Sequence, residues 1–224
     1  MTDRSGMTDV TRSGQPAASC GPRSRATVAG MTLVRRALVE DEDSVVATVV
    51  AAFGQDPAWQ HIVGHQHETA SPHFARALFR SRVDAGTVWV TDDVTAVAMW
   101  ELRDGDSPVH EQRDDIWKDY RAAVGEELWE RLEEGEAALD ASRPTPPYWY
   151  LGVLATHPDH VRRGLATAVM EPVMEIADHD HLDCWLETAS VANLTFYDRR
   201  GFHQRLPIEV DEGPQTWWLR RPPA

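Results

Sequence analysis

The chain is poor in cysteine: Cys20 and Cys184 are its only two in 224 residues, and they lie far apart. No disulfide framework can be built from such a pair, which fits a reducing, cytoplasmic setting. Cys184 lies in the apolar run LDCWLE and reads as a buried, unreactive thiol. Positive charge is also scarce, with 22 Lys and Arg against 36 Asp and Glu for a net charge of −14. That balance argues against a nucleic-acid partner or an anionic membrane surface and suits a cationic or amine-bearing small molecule. There is no uninterrupted apolar stretch of membrane length, and the N-terminus lacks the apolar core of a signal peptide. The expectation is a soluble protein that stays inside the cell. Neither a Gly-Lys-Ser/Thr phosphate loop nor a GxGxxG turn occurs, so ATP and NAD have no support. What remains, 42% hydrophobic and 26% charged residues, is ordinary for one well-buried domain, and the length is short for two.

Residues 1–30 are rich in Ser, Thr, Gly, Pro and Arg and nearly devoid of large apolar groups. Such a segment cannot offset its ordering entropy and is expected to be a disordered tail, with the folded domain spanning 31–224. Beyond Met31, strand-like and helix-like patterns alternate. Residues 32–39 read as a strand, and 40–57 as a helix with an acidic first turn, stopped by Gly54 and Pro57. Residues 73–86 read as a second helix and 87–102 as a hairpin turning at Asp92 and Asp93. The acidic stretch 113–141 is helical, with Ile116, Tyr120 and Val124 at helical spacing and Leu128 with Leu132 after Gly125. Strands are expected over 148–156, 182–189 and 214–221, a helix over 164–180 with a kink at Pro172, and a short helix ending at Gly201. Together these predict a single α/β domain built on a mixed, mostly antiparallel sheet flanked by helices.

The segment HPDHVRRGLATAV, 157–169, sets Arg162, Arg163 and Gly164 between a strand and a helix. The first N–H groups of a helix lack intrahelical partners and carry the positive end of its dipole, and small residues let a ligand approach the backbone. From the turn alone, a pyrophosphate cradle and a plain solvent-exposed helix start are equally good readings. Taken with CWLETASVANLTFYDRRGF, 184–202, the segment resembles the two linked motifs of the GNAT acetyltransferase superfamily. Stretches outside those motifs, including VVAAFGQDPAWQHIVG, TVWVTDDVTAVAMW and DEGPQTWWLRRPPA, resemble its puromycin-acetylating branch, and the likeness blurs through 104–147.

That resemblance implies a single acyltransferase domain with a splayed central strand pair, and acetyl-CoA as co-substrate without a metal. The backbone of Leu154, Ala155 and Thr156 would pair with the pantetheine arm. The turn and helix start formed by Arg162, Arg163, Gly164, Leu165, Ala166 and Thr167 would hold the pyrophosphate, with Asn193 also on the cofactor. One motif position, usually Gln or Arg, is Val161, and a weakened grip is the most this should cause. Arg199 and Arg200 would reach the adenosine phosphate. Tyr197 matches the tyrosine that protonates the departing thiolate; from spacing alone it reads as a packing residue beside Phe196. Asn193 reads equally as a helix cap.

The general base is expected to be Glu187, a carboxylate in an otherwise apolar strand, where it needs a raised pKa or a polar partner. Glu101 and a water relay are the alternatives. His61, His65, His67 and His73 have no Cys or spaced carboxylate to complete a metal site and read as surface residues. Trp59, Trp100, Trp117, Trp129 and Trp149 are expected to divide between core and pocket. The reaction implied is acetylation of a primary amine, best an aminonucleoside (puromycin-like) antibiotic or pathway intermediate, hence antibiotic resistance, by a monomer or homodimer. The rival readings are a catalytically degenerate module that binds an acyl-CoA or a protein partner, and an acetyltransferase for an unrelated amine.

Overall fold

Seven strands form one open sheet in the order β1-β2-β3-β4-β5-β7-β6. They are β1 (Val34–Arg36), β2 (Val88–Thr91), β3 (Ala96–Arg103), β4 (Tyr148–Thr156), β5 (Asp183–Thr188), β6 (Gln204–Ile208) and β7 (Thr216–Arg221). Every neighbouring pair is antiparallel except β4 with β5. The helices are α1 (Glu42–Phe53), α2 (Pro57–Val63), α3 (His67–Val83), α4 (Asp114–Val124), α5 (Glu126–Ser142), α6 (Leu165–His179) and α7 (Val191–Asp198). The computed structural model describes residues 32–105, 114–210 and 213–224; the expected tail and Cys20 lie outside the described residues. The mixed, mostly antiparallel α/β fold expected from the sequence is present.

Several boundaries differ from the sequence reading, each for a local reason. The first strand stops at Arg36 because the Asp41 carboxylate accepts the Leu38 N–H (2.8 Å) and two Arg35 donors (2.6 and 2.8 Å), drawing the chain into a 3-10 turn. Pro57 begins a helix rather than ending one. Asp56 caps α2, accepting from the N–H groups of Ala58 and Trp59 at 3.0 Å each, and Pro57 takes the first helical position, where no N–H is needed. Helix α3 starts at His67 instead of 73, and α6 runs continuously through Pro172. The acidic helical stretch is two helices, parted at Gly125 with φ +84°. Strand β6 was not foreseen: four of its five residues are exposed and one is Pro207, as suits an edge strand.

Two layers of helices cover the sheet. On one face α6 and α7 pack on Ala96, Ala98, Trp100, Trp149, Leu151, Cys184, Leu186 and Leu219. On the other, the α1–α5 side packs on Val88, Val90, Val97, Met99, Val153 and Ala155. The alternation along β4 reverses in its middle. Trp149 and Leu151 belong to the α6 face, whereas Val153 and Ala155 belong to the opposite one. Its register against β3 explains this: Met99 faces Val153 and Trp100 faces Leu151, leaving Gly152 as the extra residue of a β-bulge. One inserted residue in a period-two element exchanges the faces of everything beyond it.

Candidate active site

The parallel pair β4/β5 is in register only from Tyr148↔Asp183 to Leu151↔Leu186. Beyond that point β4 continues through Gly152–Thr156 along β3, and β5 continues through Glu187 and Thr188 along β7. The sheet therefore opens immediately after Leu151, at the bulge, as the splayed pair requires. A cavity of about 430 Å³ occupies this opening, bordered by Tyr150, Gly152, Leu154, Glu187, Asn193 and Tyr197 among others. Tyr197 packs with the α6-face core while Trp59 and Phe74 belong to the opposite core, so the cavity draws its walls from both faces.

Glu187 follows Cys184 and Leu186 on β5, with its side chain on the opposite face from theirs. The Tyr150 hydroxyl donates to its Oε1 at 2.7 Å, and Oε2 is buried without a hydrogen-bond partner. Burial disfavours its charge and pushes the pKa up to about 7; the Tyr150 hydrogen bond and Arg143 oppose the shift, while Glu136 adds to it. Tyr150 itself is held strongly protonated, first by burial and then by Glu187. Tyr197, 8% exposed, packs edge-on against Phe196 and Phe202 with centroids 5.2 and 5.9 Å away. Burial, with Glu187 and Asp56 adding to it, raises its pKa well above the ordinary phenol value, so it is a neutral proton carrier at physiological pH.

The opening of α6 stands at the same end of β4. Gly164 is the N-cap residue, in the left-handed region at φ +82°, and as glycine it brings no capping side chain to the N–H groups of Leu165, Ala166 and Thr167. Nothing stands within 4 Å of where its Cβ would be, so the space in front of the turn is open. Arg162 is also left-handed at φ +62°, a conformation that costs a non-glycine residue about 1 kcal/mol or more. Arg162 and Arg163 are exposed, and Arg163 donates to the Asp159 carbonyl at 3.1 Å. Arg200, from the end of α7, donates from Nε to Thr167 Oγ1 (2.9 Å) and from Nη1 to the Phe196 carbonyl (2.7 Å), tying α7 to the first turn of α6. Burial and the neighbouring Arg199 lower its pKa.

Among the residues singled out from sequence, Glu187, Tyr197, Asn193 and Leu154 border the one cavity. Ala155 packs in the α1-side core, and Thr156 is half-buried with its Oγ1 unpartnered. Asn193 is not a helix cap: Ser190 holds that position, and the Asn193 N–H donates to the Ser190 carbonyl at 3.0 Å. Glu101, the alternative base, lies between Arg82 and Arg103 in ion pairs and does not border the cavity that Glu187 lines. Trp59, Trp117 and Trp129 border the cavity with Phe53 and Phe74, while Trp100 and Trp149 are core residues. Sequence reasoning passed over Tyr150, although it stands two residues before Gly152 on the strand already singled out. It also passed over Arg82, Arg103 and Arg143, which carry no motif. Among the described residues no group of three or more His, Cys, Asp or Glu could hold a metal ion, and no helix is long and apolar enough to cross a membrane.

Comparison with known proteins agrees with this architecture. In structure the chain is similar to a histone acetyltransferase HPA2 and related acetyltransferase from Corynebacterium glutamicum, at TM-score 0.61 and 22% identity, over 87% of this chain and 98% of that one. It is similar to a polyamine N-acetyltransferase of Drosophila melanogaster, at TM-score 0.58 and 19% identity, over 85% and 99% of the two chains. A third neighbour is arylalkylamine N-acetyltransferase 2 of Aedes aegypti, at TM-score 0.58 and 10% identity, over 84% and 96%. At these identities the likeness is one of fold. Residues 25–202 match the acetyltransferase (GNAT) family, and the chain belongs to that family.

Proposed function

We propose that this protein is an acetyl-CoA-dependent N-acetyltransferase acting on a primary amine of a small molecule. The observation that carries the reading is the convergence of a carboxyl group with a pKa near 7 and a protonated phenol on one cavity in the gap of the sheet. The residues suit the co-substrate that the family uses. The β4 backbone of Leu154, Ala155 and Thr156 runs past the splay without β5 beside it, and the α6 turn presents uncapped N–H groups behind open space. Arg162, Arg163 and Asn193 would add polar contacts from the two sides. When bound, acetyl-CoA supplies an activated acetyl thioester.

The chain's own groups then divide the proton work. Glu187, ionised in part at neutral pH, accepts a proton from the acceptor ammonium, and the Tyr150 hydroxyl fixes the orientation of its carboxylate. The free amine would form the new C–N bond as the C–S bond breaks, and the nitrogen would pass its surplus proton to the Tyr197 phenolate left once that residue has protonated the sulfur. Tyr197 delivers its hydroxyl proton to the departing sulfur. Proximity would add to proton transfer, because one cavity can hold both partners side by side.

For the acceptor we propose an aminonucleoside antibiotic of the puromycin type or a related pathway intermediate, which would make the physiological role antibiotic resistance by modification. Support comes from the similarity to the puromycin-acetylating branch outside the cofactor motifs, the aromatic wall of Phe53, Trp59, Phe74, Trp117 and Trp129, and the net charge of −14. Calorimetry with acetyl-CoA followed by a thiol-release screen tests the reading, using puromycin, aminoglycosides, polyamines and amino acids. Binding plus thiol release with puromycin is expected. Binding without release from any amine leaves a non-catalytic acyl-CoA module, and release with unrelated amines alone removes the aminonucleoside assignment.

A further inference from the structure

The cavity contains a charge arrangement that proton transfer does not require. Arg82, near the end of α3, and Arg103, the last residue of β3, flank the Glu101 carboxylate, with Arg82 Nη2 3.4 Å from Oε2 and Arg103 Nε 2.9 Å from Oε1. The side chains of Arg82 and Glu101 are only 6% and 5% exposed. Both arginines border the cavity. Arg82 Nη1 donates to the Leu78 carbonyl (3.1 Å) and Ser81 Oγ (2.9 Å), while its Nε–H is buried without a partner. One buried and one partly buried guanidinium sharing a carboxylate, with the buried Arg82 Nε–H unmet, are costly unless something else supplies an acceptor.

Their position says where that acceptor would lie. Arg82 Nη2 is 3.1 Å from the point a Cβ on Gly152 would occupy, and Tyr150 Cε1 is 3.2 Å from the same point. The Arg103 guanidinium carbon stands 5.5 Å from the centre of the Tyr150 ring, and the hydroxyl of that ring holds Glu187. The two arginines are thus grouped around the tyrosine that orients the carboxylate assigned to the amine.

We propose that Arg82 and Arg103 form a recognition site for a carbonyl oxygen carried beside the acceptor amine. The preferred acceptors are then aminoacyl-type amines, either carboxamides or carboxylates, rather than simple alkyl- or arylalkylamines. This rests on the acetyltransferase reading and narrows it. The acceptor's side chain would lie along the aromatic wall, and a single carbonyl or carboxylate matches the two guanidiniums. A dianion such as a phosphate monoester would meet the nearby Glu101 and Glu187 carboxyl groups as well.

Three acceptors sharing one aryl frame test this: tyramine, tyrosinamide and tyrosine, compared by kcat/KM in a thiol-release assay. Basicity of the amine contributes to the ratios in every variant, so the readout is the change between variants. Arg82→Lys and Arg103→Lys keep the charge but lose the planar fork of donors. Each should reduce kcat/KM for tyrosinamide and tyrosine at least about tenfold more than for tyramine. Glu101→Gln removes the competing anion and should raise the tyrosine-to-tyrosinamide ratio, a gain that misfolding cannot mimic. Ratios that both lysine variants leave within about twofold overturn the site, as does turnover confined to amines lacking a carbonyl. Absence of thiol release from every amine overturns the acetyltransferase reading itself.

Discussion

The two faces of the sheet are built on different principles. On the α6 face, the candidate site is almost all backbone: a left-handed glycine, the first N–H groups of one helix and the free edge of one strand. On the α1–α5 face it is side chains gathered from all five of those helices and from β3, β4 and β5, with aromatics, carboxylates and three arginines within one cavity. Backbone geometry can be specified by a few adjacent residues, whereas a side-chain cavity needs the whole tertiary fold. This suits a shared co-substrate on the first face and a particular acceptor on the second.

The comparison can be broken most severely where the faces meet. Tyr197→Phe removes the proton donor and little packing, so turnover should fall by about 100-fold while the acetyl-CoA Kd changes less than twofold. Single-turnover kinetics beside calorimetry would check this, and equal turnover would show that the thiolate leaves unassisted.

Glu187→Gln should be the next largest effect. In the wild type kcat/KM should rise with pH through an inflection near 7, as the carboxyl group loses its proton, and the variant should lose both that inflection and most of the rate. Stability carries the opposite sign. A carboxyl group raised from 4.5 to about 7 binds its proton more tightly when folded, so the wild type loses stability as pH climbs through that window. Thermal melts should show Glu187→Gln more stable than wild type at pH 8, by roughly 3 kcal/mol, with the difference closing below pH 5.

Gly164→Ala addresses the backbone face alone. There is room for the methyl group, so the expected damage comes from the left-handed backbone, costing about 1–2 kcal/mol in stability and about tenfold in acetyl-CoA affinity. Tyr150→Phe is subtler. It removes the hydrogen bond that favours the charged Glu187, so the inflection in the pH profile should move upward, with the plateau rate at high pH nearly retained. Arg163→Ala should be the mildest, a few-fold loss of acetyl-CoA affinity that fades at high salt because the side chain is exposed.

The same division governs what the sequence discloses. The turn at Arg162–Gly164 and the strand bearing Glu187 are legible because their signals are local: a glycine before a helix, a carboxylate in an apolar run. The start of α2 at Pro57 was legible in principle, since Asp-Pro is also a helix opening, and the ambiguity lay between stop and start. Edge strand β6 hides because exposure removes its apolar pattern. Arg82 and Arg103 hide for a deeper reason: the strand sets Glu101 beside Arg103, two residues away on one face, but nothing within α3 or β3 indicates that Arg82 and Tyr150 will join them.

The bulge at Gly152 gives β4 a reading frame. Upstream of it odd-numbered side chains face α6, and downstream the even-numbered Leu154 does. Since YWYLGVLAT is apolar at nearly every position, either parity buries hydrophobic groups equally well, and the frame change is silent in hydropathy. Substitution at this strand is therefore a milder insult than a change of its length. Deleting Gly152 would remove the bulge and restore unbroken alternation, leaving Val153 and Ala155 on the α1–α5 face and Leu154 toward α6, so every side chain would keep its apolar surroundings. The domain could still fold around such a strand, yet the splay would be displaced relative to Glu187. Length, more than composition, is what this strand contributes to the site.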